Sequence, residues 1–561
     1  MKAMKTFRLF SMAALTIMMA ACSSEDIIQQ QPAQTKGIPF TATISTGGGA
    51  TTRTTLTEAK DGSNKDILNV VWKENDQVEL IYDVAGVTKT TTANVDAVDN
   101  GTGVATISAT LDANTTDGTA VILRYPAASL NATTHDFDAE LLKSQTGTLA
   151  GLSDYDWREG NGTLTGAGTS ATLSSNVMMN SKVAIWKLSP KAGGSDINAT
   201  KLSIKNANGD VLAETANGMA ASTTVYLALQ PIASQAVFMA ASDGTNEYDF
   251  SKAGITLAEN TYYQSNVTMS QYQPEATPLT FEAVGDGNIY IYNTENVRVT
   301  ITYKINDGAE QTYSAGHTIY VNAGDKVSFF CTSSSLHDSG SLHVRFELNN
   351  TNFYVYGNVM SLIDDSGSGF ANDKTISASQ ALKGIFERAV KMINHPTKRI
   401  VLPATNVSSN CYEEMFIGCT GLKTAPDLPA TSLSLRCYIK MFFNCTGLTK
   451  APDVLPATIL ASECYENMFG GCTSLTKAPV LPDATLVDGC YGWMFSGCSS
   501  LNYVKCLVKD LTVGNGSLNS WLNGVSSTGT FVKASTSNWD NSAYIHSSDY
   551  LWPNAWTVVT E

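Results

Sequence analysis

Cysteine is the residue type with the most chemistry to offer in this chain, and it arrives in a pattern. Four units follow one another: LPATNVSSNCYEEMFIGCTGL, LPATSLSLRCYIKMFFNCTGL, LPATILASECYENMFGGCTSL and LPDATLVDGCYGWMFSGCSSL. Their leading cysteines are Cys411, Cys437, Cys464 and Cys490, and their trailing ones Cys419, Cys445, Cys472 and Cys498. Both series step by 26, 27 and 26 residues. Eight thiols in matched pairs are the raw material of a zinc site or a disulfide framework. On a helix, however, residues eight apart are separated by about 12 Å at 1.5 Å rise each. That is too far to share one zinc, and a disulfide needs Cα atoms within about 7 Å. No histidine lies inside the four units to complete a metal site. Cys, Met and Cys at i, i+4 and i+8, with Tyr and Phe beside them, instead predict an apolar stripe on a short helix. The thiols then form a ladder of small buried side chains along a solenoid core, with disulfides between stacked units as the open alternative.

The remaining chemistry is thin. His135, His317, His337, His343, His395 and His546 are scattered, with no HExxH, GxSxG or phosphate loop. Carboxylates abound, but an acidic surface explains them without a glycosidase pair. The expectation is a protein that is not an enzyme and holds no cofactor. The DDSGSGFAND stretch at Asp364–Asp373 offers hard oxygen ligands, yet lacks the ordered spacing of a calcium loop.

One further cysteine stands apart. Lys2, Lys5 and Arg8 precede an apolar run from Leu9 to Ala21, too short to span a bilayer, which ends in Met19-Ala20-Ala21-Cys22. This resembles a bacterial lipobox, which implies cleavage after residue 21 and lipidation of the Cys22 thiol. Residues 22–37, Gln-rich and aperiodic, then read as a flexible tether. Acidic residues just after Cys22 resemble the surface-export signal of Bacteroides-group lipoproteins. The implied location is the outer membrane, lipid-anchored and facing outward.

Composition agrees with that address. The 561 residues hold 36 Lys+Arg against 51 Asp+Glu, a formal net charge of -15. Residues 1–21 carry three positive charges and no negative ones, so a chain starting at Cys22 has net charge -18. Such a balance excludes nucleic acid as a partner, because its binders need a basic face. Hydrophobic residues make up 43%, enough to build cores, and charged residues only 16%.

The elements that position these residues are mostly strands. From Ile38 to about Ser270, IPFTATIS, VELIYDV, TTVYLALQP and AVFMAAS alternate with a period of two, between turn clusters such as Asn208-Gly209-Asp210. IPFTATI, TTRTTLT and VVWKENDQVELIY, then LLKSQTGTLAGLSDYDW, NVMMNSKVAIWKLSP and LAENTYYQSNVTM, resemble a fimbrillin-like (Mfa-like) region. The resemblance implies tandem transthyretin-like β-sandwiches over 38–171 and 172–271. In that family some members are cut after an arginine and polymerise into pili by donor-strand exchange with other fimbrial subunits. Arg53 in TTRTTLT matches the cut site, against the alternative of an exposed Arg on a Thr-rich strand.

A third small β module is expected over 278–377, where Cys331 reads as a lone core residue. The four units and a preceding amphipathic segment, ASQALKGIFERAVKMI, then fill 378–510, and 511–561 closes the chain. The preceding segment predicts an N-terminal capping helix. The repeat motif resembles the BspA-like leucine-rich repeats of Bacteroides and relatives, and so implies a short α/β solenoid and an adhesive role. The whole chain is thus expected to be multidomain and mainly β. Contact positions are expected after the repeat leucines, at Lys423, Lys450 and Lys477, with solvated solubilising lysines as the alternative. The implied function is adhesion to a host or bacterial surface protein or glycan. A pilus subunit or tip, and a glycan-binding accessory lipoprotein, are the alternatives.

Overall fold

The computed structural model describes residues 37–46, 57–60, 66–69, 72–99, 103–294, 299–331, 333–337, 342–363, 369–510, 516–539 and 552–561. Cys22, Arg53, the lipobox and the tether up to residue 36 lie outside them, as does residue 364–368 of the glycine-rich acidic loop. The chain is mainly β, in several separate sheets. Among the described residues no helix is long and apolar enough to cross a membrane.

The first sheet holds β1 (Ile38–Thr46), β4 (Gln77–Val84), β5 (Val87–Asp99), β6 (Val104–Leu111), β7 (Ala120–Tyr125), β8 (Arg158–Thr165), β9 (Thr172–Leu173) and β10 (Val177–Ser181). Alternation drives it: in β4, Val78, Leu80, Tyr82 and Val84 point into the core. The strand order is β10-β1-β6-β5-β4-β7-β8-β9, and β10 also pairs β8, so the path closes on itself. Where two hydrogen-bonded sheets were expected over 38–171, one sheet curls around a single core, and closure leaves fewer free edges. It also takes in β9 and β10, so the change to the next unit falls between Ser181 and Ala184 rather than at 171. A hairpin of β2 (Thr57–Lys60) and β3 (Asp66–Asn69) reaches across to the second unit, where Glu58 accepts hydrogen bonds from Lys187 (2.6 Å), Tyr226 (3.2 Å) and Tyr262.

The second unit is a two-sheet sandwich. One sheet is built on β11 (Ala184–Ala192), flanked by β15 (Val225–Leu229) and β18 (Thr261–Thr268), with β12 (Ser195–Asp196) at the edge. The other runs β14-β13-β16-β17-β19, from Val211–Glu214, Lys201–Lys205, Ile232–Ser242, Glu247–Leu257 and Ser270–Tyr272.

The third unit also pairs two sheets. The larger includes β20 (Thr280–Ala283), β22 (Ile301–Ile305), β25 (Lys326–Cys331), β27 (Phe353–Asn358) and β28 (Met392–Asn394). The smaller holds β21 (Gly287–Tyr292), β24 (Thr318–Val321) and β26 (Arg345–Asn349). Its core does not end at residue 378. One cluster of buried side chains runs from Leu279 to Trp556, through all four repeat units. Phe281 stacks on Phe346 (5.1 Å), Phe346 leans on Phe386 (6.1 Å), and Phe386 starts a column through Phe416, Phe442, Phe469 and Phe495 at 5.3–5.6 Å. A parallel column of Tyr412, Tyr438, Tyr465 and Tyr491 has rings 5.6–5.8 Å apart.

The repeat units hold no α-helix, contrary to the expectation from the i, i+4, i+8 stripe. Every fourth residue is instead left-handed: Asn410 (φ 57), Glu414 (φ 56) and Gly418 (φ 71) in the first unit, and Arg436, Lys440 and Asn444 in the second. An α-helix cannot pass through such residues. The backbone amides divide their work. Glu413, Met415, Ile417 and Cys419 donate to the carbonyl three residues back. Tyr412, Glu414, Phe416 and Gly418 donate to the next unit, at Cys437, Ile439, Met441 and Phe443. Each unit is therefore a flat coil of consecutive turns, hydrogen-bonded to its neighbour through alternate residues. The predicted burial survives, because a four-residue turn period also brings Cys411, Met415 and Cys419 inside, each fully buried.

The expected capping helix is likewise absent. Gln380 (φ 60), Gly384 (φ 61) and Arg388 (φ 56) repeat the same geometry, and Leu382 and Phe386 donate to Cys411 and Met415. Gly516, Ser520 and Gly524 do so at the other end, where Tyr491 and Phe495 donate to Ser517 and Trp521. The four units of the sequence are thus flanked by one further coil on each side. Opposite the turns, short parallel bridges such as Thr424↔Lys450 and Lys477↔Tyr503 lead into β30 (Tyr503–Cys506), β31 (Thr530–Lys533) and β32 (Thr557–Thr560).

The nine cysteines from Cys411 to Cys506 are free thiols, and they and Cys331 are buried. Cys419, Cys445, Cys472 and Cys498 donate their thiols to the carbonyls of Phe386, Phe416, Phe442 and Phe469 in the preceding coil, at 3.0–3.1 Å. Burial pushes Cys411 and Cys445 up to about 12. The thiolate is the reactive form. Alkylation of the native chain at pH 8, mapped by peptide mass spectrometry, is therefore expected to spare all eight repeat cysteines and to modify them all in denaturant. The Tyr438 hydroxyl is buried without a hydrogen-bond partner. Tyr438→Phe is expected to stabilise the chain by roughly 1–3 kcal/mol, the cost of one orphaned polar group, read from urea unfolding.

Candidate functional site

The second sandwich meets the third unit along the segment INHPTKRI, residues 393–400. Its pivot is His395. The backbone N–H groups of Thr397 (3.1 Å) and Lys398 (3.0 Å) donate to Nδ1, which leaves the proton of the neutral ring on Nε2. The ring packs edge-on against Phe238 of the sandwich (5.6 Å) and against Tyr354 (5.2 Å) and Tyr356 (5.1 Å) of the third unit. Burial holds the His395 pKa well below the usual histidine value, with Lys398, Lys326 and Lys205 adding to the effect.

Around this pivot, tyrosine hydroxyls bind backbone across the joint. Tyr272 donates to the Arg399 carbonyl (3.1 Å) and accepts from its N–H (3.3 Å). Tyr354 donates to the carbonyl of Ala207 (2.9 Å). Two cations of the segment are matched to the sandwich: Lys398 with Asp249 at 3.3 Å and Arg399 with Glu247 at 2.6 Å.

Beside the joint opens a cleft of about 680 Å³, walled by the Asn206–Asp210 turn, the 393–400 segment and the first two repeat units. Asn394 sets the repeat wall. Its Oδ1 accepts the N–H groups of Lys423 (2.8 Å) and Thr424 (2.9 Å), and its Nδ2 donates to the Thr424 carbonyl (2.9 Å). One side-chain amide thus caps the strand edge of that unit and fixes the backbone from which Lys423 projects.

Three lysines line this cleft with few partners. Among the described residues Lys423 reaches only the Asn208 carbonyl, at 3.5 Å. Lys450 lies 3.9 Å from Asp453, both well exposed, a pair of little worth in water. Lys205 enters from the sandwich, half-buried. Burial lowers its pKa, opposed by Glu214 and reinforced by Lys201 and Lys450. Glu214 is itself held by Lys201 at 2.6 Å. Asp210, Asp427 and Asp453 are the carboxylates of the lining.

Of the contact residues expected from sequence, Lys423 and Lys450 therefore share one cleft. Lys477 does not line it: its ammonium lies over the Tyr503 ring at 5.4 Å. Sequence reasoning missed Lys205, Asn394 and His395. Lys205 sits on an ordinary alternating strand, and only the docking of the second unit brings it here. Asn394-His395-Pro396 carried a weak signal, a polar turn cluster directly before the repeats. Among the described residues no group of three or more His, Cys, Asp or Glu could hold a metal ion.

No family model and no curated protein matches the chain. Several solved structures resemble part of it. A fimbrial protein from Bacteroides ovatus shares 11% identity with a TM-score of 0.23, over 44% of this chain and 52% of that one. This chain thus spans about half the length of that protein. A second Bacteroides ovatus protein, named for a proposed role in cell adhesion, shares 14% identity with a TM-score of 0.26, over 42% of this chain and 95% of its own. A fimbrial assembly protein from Parabacteroides distasonis shares 13% identity with a TM-score of 0.25, over 41% and 90%.

His395 makes the joint sensitive to acid. Its folded pKa lies below the unfolded value of about 6.5, so the unfolded chain binds more protons in acid. The stability contributed is complete above that value and is lost as pH falls below it. Urea midpoints are expected to drop between pH 7.5 and pH 5.5, and His395→Gln is expected to reduce that drop.

Proposed function

We propose that this chain is a cell-surface lipoprotein, anchored in the outer membrane through Cys22, that carries a BspA-like leucine-rich-repeat head on a fimbrillin-like β stalk. It binds its partner non-covalently, as an adhesin for host or bacterial surfaces, and catalyses nothing. The observation that carries this reading is the joint. Lys205 of the stalk and Lys423 and Lys450 of the repeats converge on one open cleft, and that convergence exists only when stalk and head are docked. Clusters of incompletely matched charge in a cleft are a mark of binding sites.

One observation favours a second reading, a pilus subunit assembled with other fimbrial subunits by donor-strand exchange. β1 buries Ile38, Phe40, Ala42 and Ile44 between β6 and β10. Its removal by cleavage at Arg53 would leave an apolar groove with an unpaired edge on each side, the geometry an incoming strand fills.

Immunogold labelling of intact cells with antibody to residues 400–510 separates these. Label over the cell body, lost to the medium or cytosol in Cys22→Ala cells, is the expected result. Label along or at the tips of filaments, with a chain shortened at Arg53, favours the pilus. Label only after the outer membrane is opened overturns both.

A further inference from the structure

We propose that the solvent face of the small three-stranded sheet in the third unit is a platform on which a neutral glycan stacks, with Tyr320 and Tyr290 as the stacking rings. This face shares no residue with the cleft at the joint. Its assignment does not depend on the reading of the chain as an adhesin.

Strand alternation builds the face. In β21, Gly287, Ile289 and Ile291 are buried, so Asn288, Tyr290 and Tyr292 turn outward. In β24, Ile319 and Val321 are buried and Tyr320 turns outward. In β26, Phe346 and Leu348 are buried, and Arg345, Glu347 and Asn349 turn outward. The order β24-β21-β26 gathers the outward residues on one surface. In register, Tyr320 lies opposite Asn288 and diagonal to Tyr290, and Arg345 lies opposite Tyr292.

Part of this cluster serves the sheet itself. The rings of Tyr290 and Tyr292 are 4.6 Å apart at 69°. The Arg345 guanidinium roofs Tyr292 at 4.7 Å, and the Tyr292 hydroxyl is hydrogen-bonded to Glu347. Cross-strand packing of this kind stabilises a sheet, and it braces Tyr290. It does not account for Tyr320. That side chain is 77% exposed, more than any other large apolar residue among the described ones. It stands on the outer strand of its sheet, a place where soluble proteins put charged groups. An aromatic ring shown to water from a rigid strand, beside a second ring held in place, is a preorganised contact surface.

Charge, size and shape select the occupant. The outward residues of the three strands include one cation and one anion, Arg345 and Glu347, which leaves no net charge to attract a polyanion. With strands about 4.8 Å apart and about 3.4 Å per residue, three strands of four to six residues cover about 250 Å². A stable protein interface takes about 800 Å² from each partner, whereas a few sugars fit the smaller area. Asn288 and Asn349, 3.4 Å apart across the strands, set amide donors and acceptors beside the rings. A pyranose has C–H groups on its faces and hydroxyls around its rim, so it meets aromatic ring and amide together. The face is an open sheet surface. An equatorially linked glycan is a flat extended ribbon that lies along such a surface, and an axially linked one coils and needs a curved wall.

The test is native electrophoresis of the full chain in gels containing glucomannan, arabinoxylan or hydroxyethylcellulose, all neutral and equatorially linked, with glycogen as the coiled control. Retardation by at least one of the three, and none by glycogen, is expected. Y320A and Y290A are each expected to lose about tenfold in affinity, and Y320F, which keeps the ring, to bind as the parent does. I459A removes another exposed apolar side chain, on the repeats, and is expected to change nothing. Melting temperatures separate lost binding from lost folding, and Y320A is expected to melt with the parent. No retardation by any of the three polymers, equal retardation by glycogen, or full binding by Y320A overturns the proposal. Concentration-dependent dimerisation that Y320A abolishes overturns it in favour of a second copy of the chain. Surface label on intact cells is a separate readout. Its absence removes the adhesin reading and leaves the platform, and failure in the gel does the reverse.

Discussion

Within each repeat coil, no backbone amide can serve both the turn it belongs to and the coil beside it. The chain resolves this by alternation, one N–H closing a turn and the next reaching out. Alternation holds only if the chain stays flat, and flatness comes from the left-handed residue at every fourth position. Each such residue costs about 1–2 kcal/mol when it carries a side chain. A lone coil would bear that cost with half its amides unpaired, so a coil is stable only between neighbours. Flatness also fixes which side chains turn inward, two adjacent ones in every four. Hence Cys-Tyr and Met-Phe fill the interior in columns, and a small thiol is used where a larger group would push the coils apart.

The same columns tie the repeats to what precedes them. The phenylalanine column begins in the core of the third unit, so the first repeat is stacked on a β-sandwich rather than joined to it by a linker. His395 and Asn394 lie on the short segment between the two, one buttressing the second sandwich and the other capping the first repeat strand. The positions of Lys423 and Lys450 relative to Lys205 follow from those two residues. The joint thereby gathers three lysines and three aspartates from separate units into one cleft.

Much of this was legible in the sequence, for reasons that also explain the misreadings. The alternation of β4 reports a strand wherever it is placed, and a period of 26–27 residues reports a stack. The helix was misread because inward residues at i, i+1, i+4, i+5 and i+8 satisfy a period of 3.6 as well as one of 4.0. Only the left-handed positions distinguish them. Asn410, Gly418, Asn444 and Gly471 were visible signs, but Glu414, Lys440 and Trp493 in the same geometry hid the rule. The flanking coils were missed because Ala381, Leu382 and Ile385 at one end, and Ser517, Leu518, Trp521 and Leu522 at the other, stand where the marked coils have Cys, Tyr, Met and Phe. Lys205 was not legible, since nothing in a strand's own residues tells which distant unit will lie against it.

The first two units share one topological detail. In each, a strand near the start of the unit lies beside a strand near its end and runs parallel to it: β1 beside β10, and β11 beside β18 over Ala184–Lys191 against Thr261–Thr268. When a chain is held at one end and pulled at the other, the pull reaches the first unit through β1 and β10 and the second through β11 and, once the short β19 has parted from β17, β18, in opposite senses along a common axis. The hydrogen bonds between them are then loaded in shear, all together, instead of being peeled one by one as at the open end of a hairpin. Units built this way resist extension best along the direction of these paired parallel strands, and yield more readily when pulled across them.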